Sequence, residues 1–257
     1  MQRSNGYTIT FIVIMTIIVG GLLASANQVL KEPQDKSIEL DTKTQILKAV
    51  MKLEEGDDIL AIYEDRIASL VVDINGKEVT EDEKGNPMVA ENVNILKNFK
   101  KDPEKRFYPV FKFINESNKD QVDAYILPVY GNGLWDKIWG FIAVDNQIQE
   151  LIGVSFAHKA ETPGLGARIT DDEIQSRFVN KKIYDESGTL VSVEMEKGEK
   201  GGGGEGSIEH YKEEPHKVAG LSGATMTARG VNEMLKSYLT HYEAYFQKVN
   251  SGGITKL

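Results

Sequence analysis

Cysteine is absent from the 257 residues. That excludes disulfides, thiolate nucleophiles and cysteine-held zinc or iron–sulfur groups in this chain, and it leaves the redox compartment unread. Positive charge is in short supply: 30 Lys and Arg face 39 Asp and Glu, for a net charge of −9. Such a balance lacks the basic patch that displaces counterions from a phosphate backbone, so nucleic-acid binding is excluded. The four histidines, His158, His210, His216 and His241, form no His-x-x-x-His pair, and no metal site is read from them. No Gly-Lys-Ser/Thr closes a phosphate loop, and no internal repeat is visible.

What the chain does have begins at its N-terminus. From Tyr7 to Ala26 there is no charged residue, and Phe11-Ile12-Val13-Ile14-Met15 with Ile17-Ile18-Val19 make the centre strongly apolar. Twenty helical residues cover about 30 Å, the thickness of a bilayer core, so residues 7–26 are expected to be embedded as one span. A cleaved secretory signal is the rival reading, since Arg3 precedes the run and Ala24-Ser25-Ala26 has the small-x-small form of a cleavage site. Its usual apolar core of about 7 to 15 residues is shorter than this one.

The length allows one or two domains beyond that segment. Pro33 to Leu40 reads as a polar connection, followed by an amphipathic face of Ile46, Leu47, Val50 and Met51. Asp57-Asp58 can start a second helix, which leads into Leu70 to Ile74 and the Asn75-Gly76 hairpin signal. Thr80 to Pro109 is charged and weakly periodic, a surface excursion with one helix around Val93 to Phe99. Its Lys97, Lys100, Lys101, Lys105 and Arg106 are either a docking patch or a solvated face.

From Gln121 the texture becomes β. Val122 to Tyr130, Ile138 to Val144 and Ile148 to Phe156 are rich in aromatic and β-branched residues, with a Gly131-Asn132-Gly133 turn after the first. Short connections between them predict an antiparallel sheet. Asp171 to Phe178 is expected to be helical, Thr189 to Met195 a strand, and Gly201 to Gly204 a flexible link. The fold class is α+β: one N-terminal transmembrane helix, then a domain with an antiparallel sheet and flanking helices. The expected divisions are 1–30 for the anchor, 31–120 for a mixed helical part and 121–257 for the α+β domain.

The segment with most chemical content is Ser222-Gly223-Ala224-Thr225-Met226-Thr227, where a loop runs into a long helix. Free N–H groups at a helix start and the positive end of its dipole favour a phosphate, and Gly223 and Ala224 let one approach. Thr227 is read as N-cap and ligand in one. Val231, Met234, Leu235, Tyr238, Leu239, Tyr242, Phe246 and Val249 follow at helical spacing and predict a buried stripe. The plain alternative is a Ser/Thr cap with no ligand.

Two further motifs bear on that choice, Glu161-Thr162-Pro163-Gly164-Leu165-Gly166 and Gly131-Asn132-Gly133-Leu134-Trp135. Gly164 and Gly166 allow close backbone approach, Leu165 offers a flat apolar face, Glu161 and Thr162 bring polar groups to a rim, and Trp135 can form a second aromatic wall. With these motifs in this order the chain resembles the FMN-binding domain family in which the flavin is joined to a threonine hydroxyl by a phosphoester. The Leu127 to Trp135 segment is similar to the C subunit of the sodium-translocating NADH:quinone reductase, and less so to the G subunit of the Rnf electron-transport complex.

The resemblance implies FMN carried covalently by Thr227, with Ser222 and Thr225 contacting phosphate and Lys197 reaching the ring. It implies electron relay in a sodium-pumping NADH:quinone oxidoreductase, with no catalytic residue and no separate turnover in this chain. The implied partners are the complex's other integral-membrane, flavin and iron–sulfur subunits, and a flavin transferase that matures the protein. The implied location is the bacterial inner membrane, with one span and the large domain on the periplasmic side. One departure stands out: Ala219 occupies the place where the modification motif has aspartate. The alternatives are an electron carrier of the Rnf type, a flavin-free anchored interaction domain, and a hydrolase acting through Ser222, for which no Gly-x-Ser-x-Gly frame exists.

Overall fold

A computed structural model describes residues 4–82, 84–200, 202 and 204–252. Arg3, Gly201 and Gly203, which the sequence expectations touch, lie outside the described residues. The chain divides into two compact units at 43/44.

The first unit is the body of helix α1, Asn5–Lys48. It contains the only described helix long and apolar enough to cross a membrane, with an 18-residue window of mean hydropathy 2.4 and none of that window buried. Within it Thr16 turns its hydroxyl back onto the Ile12 carbonyl at 2.8 Å, which satisfies a polar group at membrane depth. The polar connection expected over Pro33 to Leu40 is instead helical. Proline in a helix interior costs about 3 kcal/mol through one lost hydrogen bond and a steric clash. Straight-chain helix formers surround it, and Glu32–Lys36 and Glu39–Lys43 pair one turn apart at 2.8 and 2.7 Å.

The second unit is built on a six-stranded sheet in the order β1-β2-β3-β4-β5-β6, every neighbour antiparallel. Its members are β1 Ile67–Val72, β2 Tyr108–Ile114, β3 Val122–Asn132, β4 Lys137–Asp145, β5 Glu150–His158 and β6 Lys181–Lys182. Residues on both sides of 120/121 therefore share one sheet. The expected strands 122–130, 138–144 and 148–156 are present with shifted ends. Ile148 belongs to a turn, at φ 55. The central strands read as continuous apolar runs because both faces are covered. Along β3, Tyr125, Leu127 and Val129 enter one core and Ala124 and Ile126 the other.

The second core is closed by Ile46, Leu47 and Ala49 at the start of this unit and by Tyr63 of α2, Ile59–Arg66. Asp58 caps α2 as expected, accepting from the Ala61 N–H at 3.1 Å. The first core is closed by the long helix α6, Thr225–Asn250. Seven members of its predicted stripe, Val231 to Phe246, are buried, and Val249 packs at the edge. Two short helices, α3 Ile95–Phe99 and α4 Asp172–Ser176, fall where helices were expected, and α5 spans Ile208–Glu213.

Two expectations need correction. Strand β2 was not expected: the supposed excursion took in Tyr108 and Pro109, and residues 110–114 were given no element; the proline lies outside the stretch of β2 that pairs with β3, so its missing N–H breaks no bond there. The strand expected over Thr189 to Met195 shrinks to β7, Glu194–Met195, paired in parallel with β8, Lys217–Val218. Ser192, at φ 70, turns the backbone out of extended geometry just before it.

Candidate functional site

The site lies at the tip of α6, reached by the turn after β3 and the loop after β5. Thr225 is the first residue of α6 and Ala224 the cap, whose side chain can make no capping bond. Thr227 is thus not the N-cap but sits inside the first turn. Among the described residues no acceptor takes the N–H groups of Thr225, Met226 or Thr227, so the helix start keeps free donors and the positive end of its dipole. Gly223 stands at φ 76, a backbone region open to glycine, and a side chain there would meet Leu165 Cδ2 at 2.8 Å.

The hydroxyls of this loop fall in two classes. Ser222 and Thr225 are exposed, whereas Thr227 is 1% exposed and donates its hydroxyl to Glu161 Oε2 at 2.5 Å. Glu161 is itself buried, 3% exposed, rather than a rim group. Its other oxygen accepts from the Trp135 N–H at 3.0 Å, and its own N–H donates to His158 Nδ1 at 3.2 Å. One carboxylate thus ties all three motifs together. Gly133 and Gly166 make room for it, since a Cβ on Gly166 would lie 2.6 Å from Glu161 Oε2 and one on Gly133 2.8 Å from its Cδ.

Apolar side chains crown this polar hub. Trp135 is 69% exposed, Met226 52%, Leu134 48% and Leu165 40%. The indole is not loose, because its Nε1 donates to Thr162 Oγ1 at 3.1 Å. Thr162 and Gly164 are exposed, and Gly164 makes a turn at φ 74 with no atom near where a side chain would be. The arrangement suits a flat aromatic ligand with a phosphate tail: exposed apolar faces for a ring, free N–H groups for an anion, and a hydroxyl between them. Its residues fit FMN on those grounds.

Lys197 is exposed, and among the described residues it makes no side-chain hydrogen bond or ion pair with the other site residues. Its loop does abut the site's approach, since a Cβ on Gly220 would lie 3.0 Å from the Gly198 nitrogen. Sequence reading missed Met226, masked by two threonines, and His158, which stood outside any motif. It also missed Arg168, Arg177 and Glu199, far apart in sequence, which join at 2.7 and 2.8 Å.

The family described as FMN-binding domain matches residues 133–240. The C subunit of the Na(+)-translocating NADH-quinone reductase of Haemophilus ducreyi is 29% identical over 244 residues, covering 89% of this chain and 87% of that protein. Its Pseudomonas aeruginosa counterpart is 26% identical over 268 residues, covering 98% of each. Among solved structures, the C subunit from Parabacteroides distasonis superposes with a TM-score of 0.69 at 30% identity, covering 84% of this chain and 96% of that one.

Proposed function

The chain belongs to the family of the C subunit of the Na(+)-translocating NADH-quinone reductase, and we propose that it carries FMN covalently on a threonine at the tip of α6 and relays electrons within that complex. The observation that carries this reading is the Thr227 hydroxyl, bonded to the Glu161 carboxylate that also holds Trp135, in a helix start that keeps free N–H groups and exposed Met226. Attachment joins a threonine oxygen to the flavin phosphate in place of the AMP of FAD. The motif makes Thr227 the residue for that bond, and its hydroxyl, in the first turn of α6 and donating to the Glu161 carboxylate at 2.5 Å, supports that assignment.

When bound, FMN supplies one- and two-electron transfer. Everything else falls to this chain. The N–H groups of residues 225–227 would hold the phosphate, with Ser222 as a further donor. Leu165 and Trp135 would flank the ring, with Thr162 locking the indole in place. Glu161 would hold the Trp135 backbone and, before attachment, the Thr227 hydroxyl, whose proton its carboxylate can take as that oxygen bonds to phosphorus and AMP leaves. The electron relay itself breaks no bond in this chain.

The wider assembly is proposed on the same footing. The helix α1 anchors the domain in the bacterial inner membrane, with the domain on the periplasmic side. The partners are the other membrane, flavin and iron–sulfur subunits of the complex, with quinone as final acceptor and sodium transport coupled to the electron flow. Maturation falls to a flavin transferase.

The test is flavin fluorescence on a denaturing gel, after co-expression with a flavin transferase, for wild type, Thr225→Ala and Thr227→Ala. Fluorescence in wild type and Thr225→Ala but not in Thr227→Ala supports the reading. A dark wild-type band removes it. A band lost only in Thr225→Ala moves the bond to Thr225.

A further inference from the structure

The two loops that frame the site are joined from behind by charged groups that neither motif contains. Arg168 lies in the 3-10 turn Gly166–Thr170 that ends the Glu161 loop, and its Nη1 donates to Glu199 Oε1 at 2.7 Å. Arg177 donates from Nη2 to Glu199 Oε2 at 2.8 Å and to Glu173 Oε1 at 2.6 Å. From Nη1 it donates to two consecutive carbonyls, Ala219 at 3.1 Å and Gly220 at 3.0 Å. Among the described residues no other donor reaches either carbonyl. Ser222 then returns its hydroxyl to the Glu199 carbonyl at 3.4 Å.

This is not a solvent-screened surface pair of the kind worth little. The Arg177 side chain is 6% exposed and Glu199 20%. A planar guanidinium is needed for Arg177's task, because it must serve two carbonyls on one nitrogen and two carboxylates on the other. Removing one member of so buried an arrangement leaves charge uncompensated. The loop it grips runs through buried Ala219, Gly220 and Leu221 straight into Ser222 and Gly223. Among the described residues, the only other backbone tie within that loop is the Ala224 N–H on the Leu221 carbonyl, at 3.2 Å.

We propose that Arg177, Glu199 and Arg168 are positioning residues for flavin uptake: they clamp the Ala219 to Ser222 loop to the Leu165 to Arg168 loop, so that Thr227 and Leu165 face one ligand. The proposal rests on the reading of this site as an FMN site. Arg168 makes no bond to residues 219–224, so any effect it has on that loop passes through Glu199.

The experiment uses the full chain in detergent and has two arms. In the first, flavin-free protein made without a transferase is followed by hydrogen exchange over residues 219–224 and over 234–246. Arg177→Gln is expected to speed exchange in 219–224 by about tenfold and Arg168→Gln by about threefold, with 234–246 unchanged, as for a local opening. In a Glu199→Gln background Arg168→Gln is expected to add nothing, because the coupling runs through that carboxylate. Arg177→Lys, which keeps charge but not the fork, is expected to restore little.

In the second arm the same variants are made with a flavin transferase, and the flavin-loaded fraction read by intact mass is expected to fall in the same order. Unchanged exchange and loading in both arginine variants would overturn the proposal. So would exchange that rises equally in 219–224 and 234–246, which marks general unfolding; should Arg177→Gln do this, the milder Arg168→Gln decides. If wild type takes up no flavin, the cofactor reading fails, while the exchange arm still judges the clamp.

Discussion

At the scale of residues, the site is organised by a buried carboxylate. Glu161 serves the Thr227 hydroxyl and the Trp135 N–H, and Gly166 makes space for it. Gly166→Ala pushes a methyl group into that pair, and the overpacking is expected to cost about 1–3 kcal/mol, read as a lower urea midpoint at unchanged slope. An unchanged midpoint would mean the carboxylate has room to move. Lys197 makes a different kind of prediction, since among the described residues it bonds to no site residue and its lever is charge. Lys197→Gln is expected to lower the midpoint potential of the loaded protein in a redox titration, because a nearby cation favours an anionic reduced ring. The motif residues were legible because each motif is a compact run. The roles of Glu161 and Thr227 were not, because a hydroxyl at a helix start looks the same in sequence whether it faces solvent or a carboxylate 66 positions away.

At the scale of elements, α6 shows how far periodicity reaches. Its apolar stripe predicted its buried face nearly residue for residue, because helical spacing alone decides which side chains share a side. Strand β2 was illegible for the opposite reason: every one of its residues is buried, so it shows no alternation, and Pro109 marks it as a loop. Proline misled in the other sense at α1, where Pro33 suggested a break that the helix does not make. Inside α6, His241 lies between the rings of Tyr108 and Tyr238 at 5.6 and 5.8 Å. Burial first, then the Arg106 charge, lowers its pKa from the usual 6.5. The unfolded chain therefore takes up this proton more readily than the folded one, so stability is complete above 6.5 and falls as pH drops through it. Urea midpoints at about pH 7.5 and about pH 5.5 are expected to differ more in wild type than in His241→Phe. Equal differences would place the acid sensitivity elsewhere.

At the scale of the molecule, one sheet with both faces covered carries a helix whose start is left open to solvent among exposed apolar side chains. That combination is costly for a domain with no ligand, because exposed tryptophan, leucine and methionine around unpaired N–H groups gain nothing from folding alone. It is the expected form of a domain completed by a flat anionic group. The anchor was plain in the sequence, since a charge-free run of bilayer length needs no tertiary information. The unity of the sheet across residues 67–182 was not, because strand pairing at that separation depends on contacts that local pattern does not encode.

The central claim is the proposal that the tip of α6 carries FMN on Thr227. Trypsin cuts after Lys217 and Arg229, so residues 218–229 leave as one peptide that holds Ser222, Thr225 and Thr227 together. The measurement is tandem mass spectrometry of that peptide from full-length protein co-expressed with a flavin transferase. The account predicts a peptide heavier by FMN less water, with the added mass appearing in fragments that hold only Thr227 to Arg229 and absent from those that hold only residues 218–226. A peptide of bare mass, or an adduct confined to fragments lacking Thr227, would contradict it.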